Sequence, residues 1–419
     1  MNRRLTNVLL VMAVALLYLA LGAYSGRTSV NGGLGPEGPI YAAMITAHDV
    51  QGGTVGNRVW PAFPLAAALA YSVTGSVETS FVIVGFVAVL VLAYAACRIL
   101  DAAAAPPAIK VCAVLTLGVL GLPTATAAFA PAQPYLLGVA MTTLAVAAIE
   151  STSTRVARSG QAPSTRVARS GQGVGWFLIA ATQVGATLAS PVGIMAPLYG
   201  LAKNWQARER RVVLVAAMLP ALLIWLLVQV WARGGPAGLL DLLRFSRVRS
   251  DVVLWTEFAF ILFAAYFLLT ALGGLTVLLW SRPRWIQDML RDRPALWALL
   301  VPPLVFIGTA GLEVPPMIAF LIPFWLIVIA GWARLHTAPL LVPSLLAGVV
   351  TILTQHPWRK VTDVSYFADW FPYSVHAARV SAVTMSDAML IDIWRVRIFI
   401  AAAGLVASVA WWRRNMRQP

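Results

Sequence analysis

Long apolar runs separated by short basic or Gly/Pro-rich links dominate this chain. A helix that crosses the hydrocarbon core of a bilayer needs about 20 such residues. On that basis the pattern predicts spans near 6–24, 79–98, 109–129, 134–150, 212–231, 254–280, 295–311, 316–333, 339–354 and 396–412. The segment 175–202 is different, because both of its flanks are basic and Ser190-Pro191 interrupts it near the middle. Proline removes a mid-helix hydrogen bond and bends or ends the helix. Two short half-helices that enter and leave on one side satisfy both observations; one long tilted span is the alternative. Broken backbone of this kind is tolerated where protein or a watery cavity covers it. The expected fold is therefore all-α: a polytopic membrane helix bundle of about ten spans, with a re-entrant hairpin, forming a single transmembrane domain over 1–419.

Composition agrees with the pattern. Hydrophobic residues make up 60% of the 419 and charged residues 11%, against about 45–50% and about 25% in soluble domains. The net charge is +15, from 31 Lys+Arg against 16 Asp+Glu. No nucleic-acid-binding motif accompanies that excess, so the arginines read as topology signals and contacts to membrane lipids. Arg98, Asp101 and Lys110, the arginines between 155 and 169, Arg208 to Arg211, Arg282 to Arg293, and Arg413 with Arg414 all fall on one side. The positive-inside rule makes that side cytoplasmic. Met1-Asn2-Arg3-Arg4 before the first apolar run reads as a retained signal-anchor rather than a cleaved peptide. The expected location is a bacterial inner membrane with both termini cytoplasmic. Cys97 and Cys112 both lie in apolar runs and the four histidines are scattered, so neither a disulfide framework nor a metal-ligand spacing is present. Residues 153–161 (STRVARSGQ) recur at 164–172. This polar duplication has no apolar face to stack and reads as a basic cytoplasmic loop.

Water-side chemistry then belongs to the opposite loops, a first outer loop at 25–78 and a last at 355–395, with a smaller one at 232–253. In the first, Pro39 stands where a helix start tolerates it, and Ile40, Met44 and Ile45 share a helical face. A second apolar helix, about 61–75, is too short to span and stops at Thr74-Gly75. Two interfacial helices are expected there. The smaller loop carries Arg244, Arg247 and Arg249 against the charge rule, which suits a phosphate or headgroup site or a surface helix.

The residues of the first loop carry a family resemblance. Glu37-Gly38-Pro39-Ile40-Tyr41, followed by Arg58-Val59-Trp60-Pro61, is similar to the acidic-small-x-x-Tyr and Arg-x-x-x-Pro elements of the GT-C class of membrane glycosyltransferases. Gly185 to Pro197 is similar to that class's broken-helix element, with Ser190 where relatives often carry a basic residue. Glu313-Val314-Pro315-Pro316 resembles a later element that usually carries Arg. The resemblance implies transfer of a sugar from a polyprenyl-phosphate donor to a lipid or glycan acceptor on the periplasmic side. A lipid-linked sugar would be the donor substrate, and a divalent metal or basic side chains would stabilise the departing phosphate.

Under that resemblance Glu37 is the candidate general base, and a helix-start charge favoured by the macrodipole is its plain alternative. Asp49 is a second candidate acid, or a turn residue beside its glycines. Tyr41 lines an acceptor pocket or anchors its helix at the interface. Arg58 contacts a phosphate, pairs with Glu37, or reaches for headgroups. In the last loop Arg359 and Lys360 are candidates to hold a lipid phosphate. Tyr366 and its aromatic neighbours are candidates to stack on a sugar, and Asp369 to support the site; an interfacial belt is the alternative. A non-catalytic relative or a lipid/glycan transporter is the competing function. It would need polar groups at mid-membrane, and the sequence shows no proton relay and no inverted repeat.

Overall fold

The computed structural model describes residues 3–25, 34, 37–47, 58–118, 131–158, 167–205, 211–236, 283–309, 318–335, 406 and 410. Every regular element among them is helical. In chain order these are α1 (Arg3–Ser25), α2 (Gly38–Thr46), α3 (Ala62–Thr74), α4 (Val77–Ala102), α5 (Pro107–Gly118), α6 (Tyr135–Arg158) and α7 (Val167–Ala189). Then follow α8 (Met195–Asn204), α9 (Arg211–Ala232), α10 (Pro283–Asp292), α11 (Trp297–Thr309) and α12 (Ile322–Leu335). Single 3-10 turns at Pro191–Ile194, Pro294–Leu296 and Ala319–Leu321 lead into α8, α11 and α12. The predicted spans near 254–280, 339–354 and 396–412 lie outside the described residues or almost entirely so.

Among the described residues α4 is the one helix both long and apolar enough to cross a membrane by length and composition, and seven shorter apolar helices accompany it. The outward faces of the bundle are apolar as well. On α1, Leu10, Val14 and Tyr18 are buried while Leu5, Val8, Leu9, Met12 and Leu16 are exposed. On α9, Leu219, Leu223 and Leu227 are exposed. A helix apolar all round is one whose outer face meets lipid.

The direction of each helix follows from its contacts. A Cβ built on Gly85 of α4 would strike the Tyr18 hydroxyl of α1, and Asn7 of α1 bonds Asp101 at the other end of α4, so the two run antiparallel. At that far end the Asn7 amide donates to Asp101 Oδ2 at 2.6 Å. Lys110 Nζ donates to Asn7 Oδ1 at 2.6 Å and to Asp101 Oδ1 at 2.8 Å. This closed ring joins α1, α4 and α5. Glu150 of α6 is bonded there by both Tyr199 and Lys203 of α8, which places the end of α8 beside the second half of α6.

The Ser190-Pro191 segment is a hairpin with unequal arms. Gln183 Nε2 of α7 donates to the Ala145 carbonyl of α6 at 3.3 Å, and Ser190 sits against Gly138 near the start of α6, so α7 climbs antiparallel along α6. The chain then turns and α8 descends to Glu150. Both ends of the segment thus lie at the same end of the bundle. Two short halves were expected, but α7 alone has 23 residues, or about 34 Å of helix. The reason lies in the duplicated repeat. Rather than a loop, its first copy is helical to Arg158 as the end of α6 and its second from Val167 as the start of α7. Helices anchored by buried turns propagate into Arg- and Ala-containing sequence at little cost.

The turn itself is closed. Ser190 is fully buried and its Oγ accepts the Val192 N–H at 3.0 Å, capping the 3-10 turn. Trp225 of α9 donates its indole N–H to the Pro191 carbonyl at 2.8 Å, tying α9 to the turn. A Cβ on Gly193 would fall inside the Ala186 carbonyl of α7, a backbone atom that cannot swing away. Gly193→Ala is therefore expected to lower stability by about 1–3 kcal/mol through overpacking. Thermal melting of the detergent-solubilised protein measures this, and an unchanged midpoint would show that the turn can open.

Candidate functional site

The first loop folds onto the bundle end opposite the Asn7–Asp101–Lys110 ring. Pro39 lies in the first turn of α2, and Glu37 is its N-cap residue. The Glu37 carbonyl accepts from the Ile40 and Tyr41 N–H groups at 3.1 and 3.2 Å, while its side chain makes no capping hydrogen bond. The residue is half-buried. Arg58 is also half-buried and precedes Trp60 by two residues. Pro61 begins α3, which ends at Gly75 in the left-handed region (φ 64°), where the Gly75 N–H bonds the Tyr71 carbonyl at 2.8 Å. Ser76 then caps α4, accepting from the Thr79 N–H at 3.3 Å.

Three aromatic rings fix this loop in place. Tyr41 stands edge-on to Phe63 (5.0 Å between centroids, 81°), and Phe63 stacks on Phe81 of α4 (5.5 Å, 14°). Met44, Ile45, Ala67, Val84 and Ala132 complete the cluster. The buried face of α2 is thus Tyr41, Met44 and Ile45, with Ile40 only partly covered. Tyr41 is 0% exposed, its ring packed within that cluster. On α3 the opposite stripe of Leu65, Leu69 and Val73 is exposed, a face suited to lipid.

A second aromatic group joins the loop to the spans. Trp60 meets Tyr135 of α6 edge-on (5.1 Å, 84°) and Phe320 at 6.1 Å. A Cβ on Gly138 would lie 2.7 Å from the Trp60 ring and 3.0 Å from both Phe320 and Ser190. Gly138 is therefore the point where the first loop, α6, the broken hairpin and the turn before α12 converge. The Ala132 N–H donates to the Leu34 carbonyl at 3.3 Å, three residues before Glu37. Gln133, between these two seams, is 6% exposed, and its Oε1 is buried with no hydrogen-bond partner.

The structure brings Glu37, Tyr41 and Arg58 of the predicted site to one bundle end. Asp49, Arg359, Lys360, Tyr366 and Asp369 lie outside the described residues, as do Arg244, Arg247, Arg249 and Glu313. Among the described residues no group of three or more His, Cys, Asp or Glu is placed to hold a metal. Gln133, Tyr135 and Phe320 are additions that local pattern did not single out. A polar residue opening an apolar run, as in Ala132-Gln133-Pro134-Tyr135, was the available signal for the first.

No family model matches the chain, and no curated protein matches it. Among solved structures it is similar to the crystal structure of ArnT from Cupriavidus metallidurans bound to undecaprenyl phosphate. The identity is 17% over 97% of this chain and 76% of that one, with a TM-score of 0.48.

Proposed function

We propose that this chain is a GT-C-type membrane glycosyltransferase that moves a sugar from a polyprenyl-phosphate donor to a lipid or glycan acceptor on the outer face. The observation that carries the reading is the first loop. It places two half-buried ionisable residues, Glu37 and Arg58, beside the aromatic contacts that pack the loop onto the bundle end opposite the Asn7–Asp101–Lys110 ring. A carboxylate and a cation held on one rigid loop are what transfer from a lipid phosphate requires.

In the proposed step Glu37 takes the proton of an acceptor hydroxyl. The freed oxygen attacks the anomeric carbon from the side opposite the phosphate. The bond between that carbon and the phosphate oxygen breaks, its electron pair leaves with the polyprenyl phosphate, and the configuration inverts. Arg58 stabilises the phosphate charge by charge-assisted hydrogen bonding. The buried Tyr41 and Trp60 hold the two ionic groups in register rather than touching substrate, and Ser190 acts as a cap at the hairpin break.

The test is direct. Purified full-length protein in nanodiscs is given decaprenyl-phosphate hexose and a crude lipid extract from a bacterial envelope. Acceptor-dependent release of bare decaprenyl phosphate, read by mass spectrometry, is the expected result. Binding of the donor with no release under any acceptor would favour the non-catalytic relative.

A further inference from the structure

Resting on that reading, we infer that Gln133 is a recognition residue for the donor sugar, its side-chain carbonyl accepting a hydrogen bond from one sugar hydroxyl. Buried polar atoms in folded proteins nearly always have a partner, and an exception calls for a reason. Gln133 Oε1 is such an exception: the residue is 6% exposed and that oxygen is sealed from solvent with nothing donating to it.

Its position supplies the reason. The residue before it in the chain bonds the first loop through Ala132 N–H to the Leu34 carbonyl, three residues from Glu37. Two residues after it, Tyr135 packs against Trp60, two residues from Arg58. Gln133 therefore lies on the seam between α6 and the loop that carries both ionic groups. Pro134 follows it and restricts the backbone of Gln133 to extended conformations. A site built to accept a hydroxyl discriminates against a ligand that lacks it, because the acceptor is then left buried and unpaired. A sugar hydroxyl is the donor that the proposed substrate brings to this place. The polyprenyl phosphate without its sugar has no sugar hydroxyl to offer.

The experiment uses full-length protein in nanodiscs and three probes: bare decaprenyl phosphate, decaprenyl-phosphate hexose, and a panel of that hexose lacking one hydroxyl at a time. Wild-type protein is expected to lose affinity about tenfold for one member of the panel. Gln133→Met, which keeps length and removes the amide, should bind the complete hexose lipid about tenfold more weakly and no longer distinguish that member. Its affinity for bare decaprenyl phosphate should be unchanged, and its melting temperature equal or higher, since an unpaired polar group has been removed. Equal hexose-lipid affinity in Gln133→Met and wild type would overturn the assignment and leave an ordered water as the partner of Oε1. Should the variant not fold, the wild-type panel decides: no loss at any single hydroxyl overturns it. Wild-type protein that binds neither bare nor sugar-bearing lipid would overturn the transferase reading itself, and this assignment with it.

Discussion

Glu37→Gln is expected to reduce sugar transfer about 10²–10⁴-fold, the range over which a positioned general base acts, while expression, membrane insertion and melting temperature stay near wild type. The amide keeps the length and hydrogen-bonding shape of the carboxylate but cannot take a proton. The competing role predicts the reverse. Glu37 occupies the N-cap of α2, and a carboxylate that merely favours the helix dipole contributes about 0.3–1 kcal/mol at an exposed site. Losing that charge would shift stability slightly and transfer not at all. Because the Glu37 side chain makes no capping bond, the cap itself loses little on substitution, and the two readings separate cleanly. Acceptor-dependent release of polyprenyl phosphate and thermal melting, measured on the same preparations, decide between them. Normal release by Glu37→Gln would remove Glu37 from the chemistry.

The second large effect lies at the other end of the bundle. In the Asn7–Asp101–Lys110 ring the Lys110 side chain is 4% exposed and that of Asp101 is 21% exposed. Removing one partner of a buried ion pair strands the other, at a cost of about 3–5 kcal/mol. The unequal exposure sets the order. Asp101→Ala strands an ammonium with almost no access to water and should fall at or near that range. Lys110→Met strands a carboxylate that is one-fifth exposed, so its cost should be smaller; in either variant Asn7 keeps its bond to the charge that remains. The double variant Asp101→Asn with Lys110→Met leaves no charge and should recover most of the loss. Melting of the detergent-solubilised variants tests this; a double variant as unstable as Asp101→Ala would mean that the ring's geometry matters more than its charge.

How much of this was legible in the sequence depends on how local the signal is. Helices whose limits are set by their own residues were read closely: the stop at Thr74-Gly75, the break at Ser190-Pro191, and the runs that became α1, α4 and α9. Each depends on a proline, a glycine or a length of apolar chain. The tips of α6 and α7 were missed because polar composition suggests a loop, whereas a helix already nucleated by buried turns carries on through such residues. The three-residue ring was missed for a different reason. Asn7 lies 94 residues from Asp101 and 103 from Lys110, and no period or motif links positions that distant.

The site shows the same division. That an acidic residue and an arginine of the first loop would share one end followed from motif and topology. That Tyr41 would be wholly enclosed did not, because its neighbours Phe63 and Phe81 come from other helices. An apolar ring four residues from a carboxylate looks the same in sequence whether it faces a ligand or a core.

The unequal hairpin has a consequence for how this protein is made. With ten residues, about 15 Å of helix, α8 is too short to partition into the bilayer by itself, and Lys203 near its end makes unaided entry less favourable still. Its counter-charge, Glu150, lies on α6 and leaves the ribosome some fifty residues earlier. The order of synthesis thus puts that counter-charge in place before α8 emerges, whereas α9 and α11, which also pack against α8, follow it. Biogenesis should therefore hold α8 at Glu150 first and enclose it only when α9 and α11 arrive, so that neighbouring helices on both sides act as its solvent.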